Sequence, residues 1–177
     1  MFGAGNGLWP SEFDDLGDSA SLATRAEMLD EGLELLAKLW SGEAVAHHGK
    51  HYQTNTQTFA PDGAHIPIWL AATWPNLKPF RRAARFDGVM AINQDFFTQL
   101  TPDEVSEIAR YIKAHRQTDA PFNLCVASIT SDDAQADIDR AHALEEAGAN
   151  WWQDGGFPLV ETLEDLRKRI RRGPPRV

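Results

Sequence analysis

A single cysteine, Cys125, occurs in 177 residues, which excludes a disulfide framework and fits a reducing, cytoplasmic setting. It lies within the apolar run Leu124-Cys125-Val126-Ala127, where a buried, inert thiol is expected rather than a nucleophile. No run approaches the ~20 apolar residues of a membrane-spanning helix. No secretory leader is expected before the glycines at Gly3, Gly5 and Gly7. Positive charge is in short supply, with 17 Lys and Arg against 26 Asp and Glu and a formal net charge of -9. That balance argues against a nucleic-acid or anionic-membrane surface. Nucleophile elbow, zinc-protease helix and Walker loop are all missing, as are solenoid repeats and low-complexity linkers. One compact domain over 1–177 with a buried core is expected at this length.

What is present is an alternation of apolar runs and amphipathic stripes. Leu22, Ala26, Leu29, Leu33, Leu36 and Trp40 recur at steps of four and three, one face of a helix over 20–40. Asp18 or Ser19 is positioned to cap it, and Gly42 to stop it. Residues 44–60, with a turn at Gly49-Lys50, read as a partly exposed hairpin inserted before the next strand. Strands are predicted at about 66–72, 86–92, 122–130 and 149–153, with a short helix after Asn76. Thr101-Pro102-Asp103-Glu104 forms a capping box for a helix with Val105, Ile108, Ala109 and Ile112 on its stripe, ending near Arg116. Ser131 or Asp132 is the expected cap of a helix carrying Ala134, Ile138, Ala141 and Leu144, stopped by Gly148. Thr162 caps a last helix carrying Leu163, Leu166 and Ile170, with cations at its carboxyl end that suit the helix dipole. Alternating strands and helices indicate an α/β fold with about four parallel strands, the last four to be neighbours in chain order with helices outside.

Ile66-Pro67-Ile68-Trp69-Leu70-Ala71-Ala72-Thr73-Trp74-Pro75-Asn76, Pro79-Phe80-Arg81-Arg82-Ala83-Ala84-Arg85 and Phe86-Asp87-Gly88-Val89-Met90-Ala91-Ile92 form a strand, turn, short helix and second strand. This segment resembles the bacterial luciferase-like family of flavin- and deazaflavin-dependent oxidoreductases. The opening Gly3-Ala4-Gly5-Asn6-Gly7-Leu8-Trp9-Pro10-Ser11-Glu12-Phe13, the stretches from Leu29 to Glu43 and Gly49 to Tyr52, and the closing Arg172-Gly173-Pro174-Pro175-Arg176 agree with it. The resemblance implies a (β/α)8 TIM barrel, which typically needs ~250 residues. It also places the opening motif mid-barrel, so the expectation is the carboxyl-terminal half of a barrel, lacking the first strands.

Active sites of such barrels lie at the carboxyl ends of the strands, often with a phosphate on the late loops. By resemblance, Ala72, Thr73, Trp74 and Asn76 occupy positions that hold the cofactor phosphate, with Asn76 capping the helix whose N–H groups would face an anion. An ordinary capped loop is the alternative. Arg81 or Arg82 can approach the phosphate, or the arginines form a solvated face. Gly5 and Asn6 fall in the loop that packs beside the flavin in relatives, with Trp9 and Glu12 near the entrance. A disordered amino terminus is the other reading. Asn93, Gln94 and Asp95 follow the second strand and either bond a flavin edge or make a turn. Trp151, Trp152, Gln153 and Asp154 end the last strand, where aromatics stack on a ring or fill core volume. His47, His48 and His51 lack a completing Cys or paired carboxylate, so no metal is expected.

The expected activity is that of a luciferase-like oxidoreductase or monooxygenase using FMN or an 8-hydroxy-5-deazaflavin coenzyme on a small molecule. Acid–base residues of several relatives fall outside this sequence, so no catalytic residue is assigned. The alternative is a non-catalytic half-barrel acting as an oligomerising or partner-binding protein. Missing barrel strands would expose sheet edges and an apolar inner face, so a homo-oligomer, commonly a dimer, is expected.

Overall fold

Four strands run parallel in chain order, and their register carries the same side-chain alternation across the sheet. The computed structural model describes residues 1–18, 21–59, 65–155 and 162–176. Its elements are β1 (Phe2–Ala4), α1 (Ser11–Asp14), α2 (Leu22–Leu39), β2 (Val45–His48), β3 (Gln53–Gln57), β4 (Ile68–Trp74) and α3 (Leu77–Ala83). They continue with β5 (Gly88–Asn93), α4 (Pro102–His115), β6 (Asn123–Ser128), α5 (Ala134–Glu146), β7 (Trp151–Asp154) and α6 (Leu163–Arg172). The main sheet has the order β1-β4-β5-β6-β7, and β2 and β3 form a separate antiparallel hairpin. The chain divides into two compact units, Ala4–Ile66 and Met1–Gly3 with everything from Pro67 on.

Ala71 pairs with Met90, Met90 with Cys125, and Cys125 with Trp151, so these four share one face of the sheet. The opposite face presents Leu70, Ala72, Val89, Ala91, Leu124 and Val126, all at most 3 % exposed. Helix α3 packs on β4, β5 and α4, and α4 packs on α5. Their contributions to this layer are Phe80, Ala83, Val105, Ile108, Ile112 and Leu144, each buried. Fully burying one such Val, Leu, Ile or Phe stabilises by roughly 1.5–3 kcal/mol, so this layer dominates the unit's stability. The strand and helix pattern, the parallel order and the separate hairpin agree with the sequence expectation.

On the other face, the amino-terminal end is filled by Trp69 and Trp151, edge to face with centroids 5.5 Å apart. Trp151 Nε1 donates to Asn123 Oδ1 at 2.9 Å. Trp69 lies over Gly88, where a Cβ would come within 2.8 Å of the indole and 2.9 Å of the Asn123 carbonyl oxygen, so glycine is required there. The carboxyl-terminal half of the same face is left open.

Several local expectations are corrected. Helix α2 is capped by Ser21, which accepts from the Thr24 amide, rather than by Asp18; Ser19 lies outside the described residues. Helix α5 is capped by Asp133, because its carboxylate accepts from the amides of Gln135 and Ala136. Ser131 instead gives its amide to the Asp137 carboxylate. The α2 stripe begins at Arg25, 7 % exposed, and not at Leu22, which is 58 % exposed. In α6 the buried residue is Arg169, drawn to Asp154 at 3.1 Å, whereas Leu163 and Ile170 are exposed. In α2 and α6 alike the buried position is an arginine whose guanidinium is held inward, over Phe13 in one and against Asp154 in the other. Thr101, Asn76 and Thr162 cap their helices as anticipated, the first in a complete capping box.

Candidate functional site

The open half of the inner sheet face continues into a cavity of 570 Å³ at the carboxyl ends of β4 to β7. Its floor is Ala71, Met90, Ile92, Ala127 and Gln153, all on the face shared by the register. Its walls are the loop Asn93 to Gln99, with Ser128, Ile129 and Gly155. Among the described residues no charged side chain lines it; the polar groups are carboxamides and hydroxyls. Largely apolar cavities with a few convergent polar groups are the usual form of small-molecule sites.

The wall loop is tied by hydrogen bonds to its own Asp95. Asp95 accepts the amides of Phe97 (2.9 Å) and Thr98 (2.8 Å) and the Thr98 hydroxyl (2.7 Å). These bonds, the Thr98 hydroxyl first, hold its carboxyl below the usual range. Phe96 then adopts φ 61, a left-handed conformation that a bulky residue seldom takes. Phe96 and Phe97 both line the cavity, and Phe97 is 73 % exposed.

Behind the wall is a polar chain the sequence did not disclose. Arg140 donates from Nε to Ser128 Oγ at 2.9 Å and from Nη2 to the Leu100 carbonyl at 2.9 Å. Ser128 Oγ is in short hydrogen-bond contact with Gln99 Oε1, which also accepts the Ile129 amide at 3.3 Å. Burial lowers the Arg140 pKa from its ordinary value, opposed by nearby Asp137. Beside it, Asp154 accepts from the Thr130 amide and hydroxyl, each at 3.0 Å, and from Arg169.

The residues anticipated from sequence distribute unevenly. Asn93 and Gln153 line the cavity. Thr73 is half-buried on the open face, paired with Ile92. Ala72 and Trp74 turn their side chains to the helix-covered face, Trp74 packing edge-on against Phe80 at 6.2 Å. The Asn76 side chain caps α3 through the Lys78 amide, and the Asn76 amide closes the turn onto the Thr73 carbonyl. Arg81 is exposed. Trp152 donates to the Ser128 carbonyl at 3.3 Å, and Asp154 joins the network behind the wall, so neither faces the cavity. Gln94 joins its loop to the preceding one by donating its amide to the Trp74 carbonyl.

Gly5 and Asn6 belong to the Ala4–Ile66 unit. Glu12 accepts the Leu8 and Trp9 amides in their loop, and the Asn6 Oδ1 is buried without a hydrogen-bond partner among the described residues. In the same unit Arg25 stacks on Phe13 at 3.8 Å with Nε and Nη1 unpaired.

His47 and His51 face Glu31 (2.9 Å) and Glu27 (3.2 Å), and His48 is exposed. No group of three His, Cys, Asp or Glu among the described residues is placed to hold a metal. Burial pushes the Cys125 thiol up to about 11, leaving it protonated and unreactive at neutral pH. No described helix is long and apolar enough to cross a membrane.

The model of the family described as luciferase-like monooxygenase matches residues 1–172. The chain belongs to that family. Uncharacterised proteins of Mycobacterium bovis and Mycobacterium tuberculosis are 27% identical to this luciferase-like chain over 150 residues, 82% of it and 47% of each relative. The chain thus spans about half the length of the curated relatives it matches. An F420-dependent secondary alcohol dehydrogenase, solved with an F420-acetone adduct, superposes with a TM-score of 0.67 at 14% identity, covering 86% of this chain and 62% of that one. A monooxygenase from Streptomyces bottropensis does so at 0.56 and 21%, covering 82% and 45%. These likenesses establish the fold, an α/β sheet with outer helices that forms part of a TIM barrel.

Proposed function

We propose that this luciferase-like chain contributes a flavin or deazaflavin site to an oxidoreductase, with the ring seated in the cavity at the carboxyl ends of β4 to β7. The observation that carries the reading is the cavity itself: 570 Å³, aromatic and aliphatic in lining, free of charge among the described residues, and edged by carboxamides. An uncharged tricycle with carbonyl and N–H edges suits such a lining. Phe96 and Phe97 would cover a ring face, while Asn93 and Gln153 would bond its edge. Hydride or oxygen chemistry belongs to the cofactor when bound. The protein's part is to orient the ring, exclude water with the pinned wall loop, and supply neutral donors and acceptors.

The phosphate is assigned to the loop from Thr73 to Asn76, next to the cavity in the register of β4 and β5. Quenching of flavin or deazaflavin fluorescence on titration with protein tests both parts. Replacing Thr73 and Asn93 by Ala should weaken binding by about 1–3 kcal/mol in total, the scale of lost hydrogen bonds. Unchanged affinity would remove these residues as ligands.

A second reading is favoured by one observation: Trp151, on the inner face, is 55 % exposed, and Ile129 beside the cavity is 39 % exposed. An apolar face of this kind suits a non-catalytic half-barrel that pairs with a copy of itself. A colourless protein that binds neither cofactor and is wholly dimeric would favour it.

A further inference from the structure

The hydrogen bonds behind the cavity wall have a fixed direction. The Arg140 Nε–H can only donate, so Ser128 Oγ accepts it at 2.9 Å. The Ile129 backbone N–H can also only donate, and its acceptor at 3.3 Å is Gln99 Oε1. The carboxamide oxygen of Gln99 is therefore turned to the wall, which settles the amide orientation. Ser128, having accepted from Arg140, sends its own hydrogen to that same oxygen. Both acceptor positions of the Gln99 oxygen are consequently filled. Its Nε2 group, bearing two hydrogens, has no partner among the described residues, and Gln99 lines the cavity.

We infer that Gln99 presents Nε2 to the cavity as a fixed hydrogen-bond donor for the carbonyl oxygen of an uncharged ligand. The chain Arg140 to Ser128 to Gln99 begins at a cation, and each bond polarises the next, so the terminal N–H is a better donor than a free carboxamide. A neutral acceptor fits because no described lining residue carries the charge that an anionic or cationic ligand would require. Phe96, Phe97 and Ile92 would take the apolar body of the same molecule. This inference rests on the cavity being the ligand site proposed above. The carbonyl can belong to a substrate or to the cofactor ring, and the two are separable.

The test uses 15N-labelled protein with acetophenone, its carbonyl-free counterpart ethylbenzene, and FMN as probes. The Gln99 side-chain amide signal is assigned by its loss in Gln99→Glu, a change that keeps both wall bonds because Ser128 and Ile129 are donors. Acetophenone should move that signal downfield, and ethylbenzene should leave it in place. Gln99→Glu should weaken acetophenone binding roughly three- to tenfold, with ethylbenzene unaffected. Ser128→Ala, which frees the carboxamide to rotate, should reduce the preference for acetophenone over ethylbenzene.

A Gln99 signal unmoved by both carbonyl probes overturns the inference, as does equal affinity for acetophenone and ethylbenzene. Acetophenone acting on Gln99 while FMN binds nowhere keeps the donor and removes FMN as the cofactor. FMN binding without moving Gln99, with acetophenone silent, keeps the flavin reading and removes the donor.

Discussion

Glu31 is strongly biased toward its charged form in the Ala4–Ile66 unit. The His47 side chain, then the backbone amides of Tyr52 and His51 (each 2.9 Å), hold its carboxyl down from 4.5 to about 2 against the opposing effect of burial. A carboxylate depressed in the folded state stabilises above its ordinary pKa and loses that contribution as pH falls through the folded value. The attachment of the hairpin to α2 should therefore hold above about pH 4.5 and weaken toward pH 2. Hydrogen exchange of the β2 and β3 amides across that range checks this, and Glu31→Gln should flatten the dependence. Gly88 is a second informative residue. Gly88→Ala places a methyl against the Trp69 indole and the Asn123 carbonyl, and should cost about 1–3 kcal/mol in urea unfolding, the usual scale of overpacking. A cost near zero would show that the tryptophan plug is loosely packed.

Among the elements, helix α4 and the loop before it connect stability to the site. Thr101→Ala removes the hydroxyl that accepts the Glu104 amide and should cost ~1 kcal/mol, measured by denaturant midpoint. The same comparison shows what sequence can reveal. Strands β4 to β7, the capping box and the caps at Asn76 and Thr162 were legible because their causes are local: period-two apolar runs and hydroxyl or amide residues before a helix. Asn93 and Gln153, which line the cavity, could be singled out from sequence because they follow or end strands whose carboxyl ends face one side of the sheet. Gln99, Ser128 and Arg140 were not, since their meaning depends on contacts across 29, 12 and 40 residues of chain. A Gln two residues before a helix cap looks like loop composition until Ser128 is placed opposite it. The burial of Arg169 was not legible for another reason: a stripe read by hydrophobicity leaves out a cation drawn inward by a distant carboxylate, here Asp154.

Among the described residues of the unit from Pro67 on, helices cover one face of the parallel sheet and Trp69 and Trp151 fill the amino-terminal end of the other. The exposed remainder, including Trp151 and Phe97, is expected to drive self-association of the isolated chain. Sedimentation at micromolar concentration should give the mass of two chains or more, and a one-chain mass with a cooperative melt would contradict that. The location of the cofactor site decides between the two proposed functions. Amide chemical-shift mapping with FMN and with the deazaflavin coenzyme tests it most directly. Saturable shifts are expected with one of the two, confined to Ala71 to Asn76, Asn93 to Gln99, Ser128 to Thr130 and Gln153 to Gly155. Shifts with neither cofactor, or shifts gathered at the opposite end of the strands around Lys113 to Phe122, would contradict it.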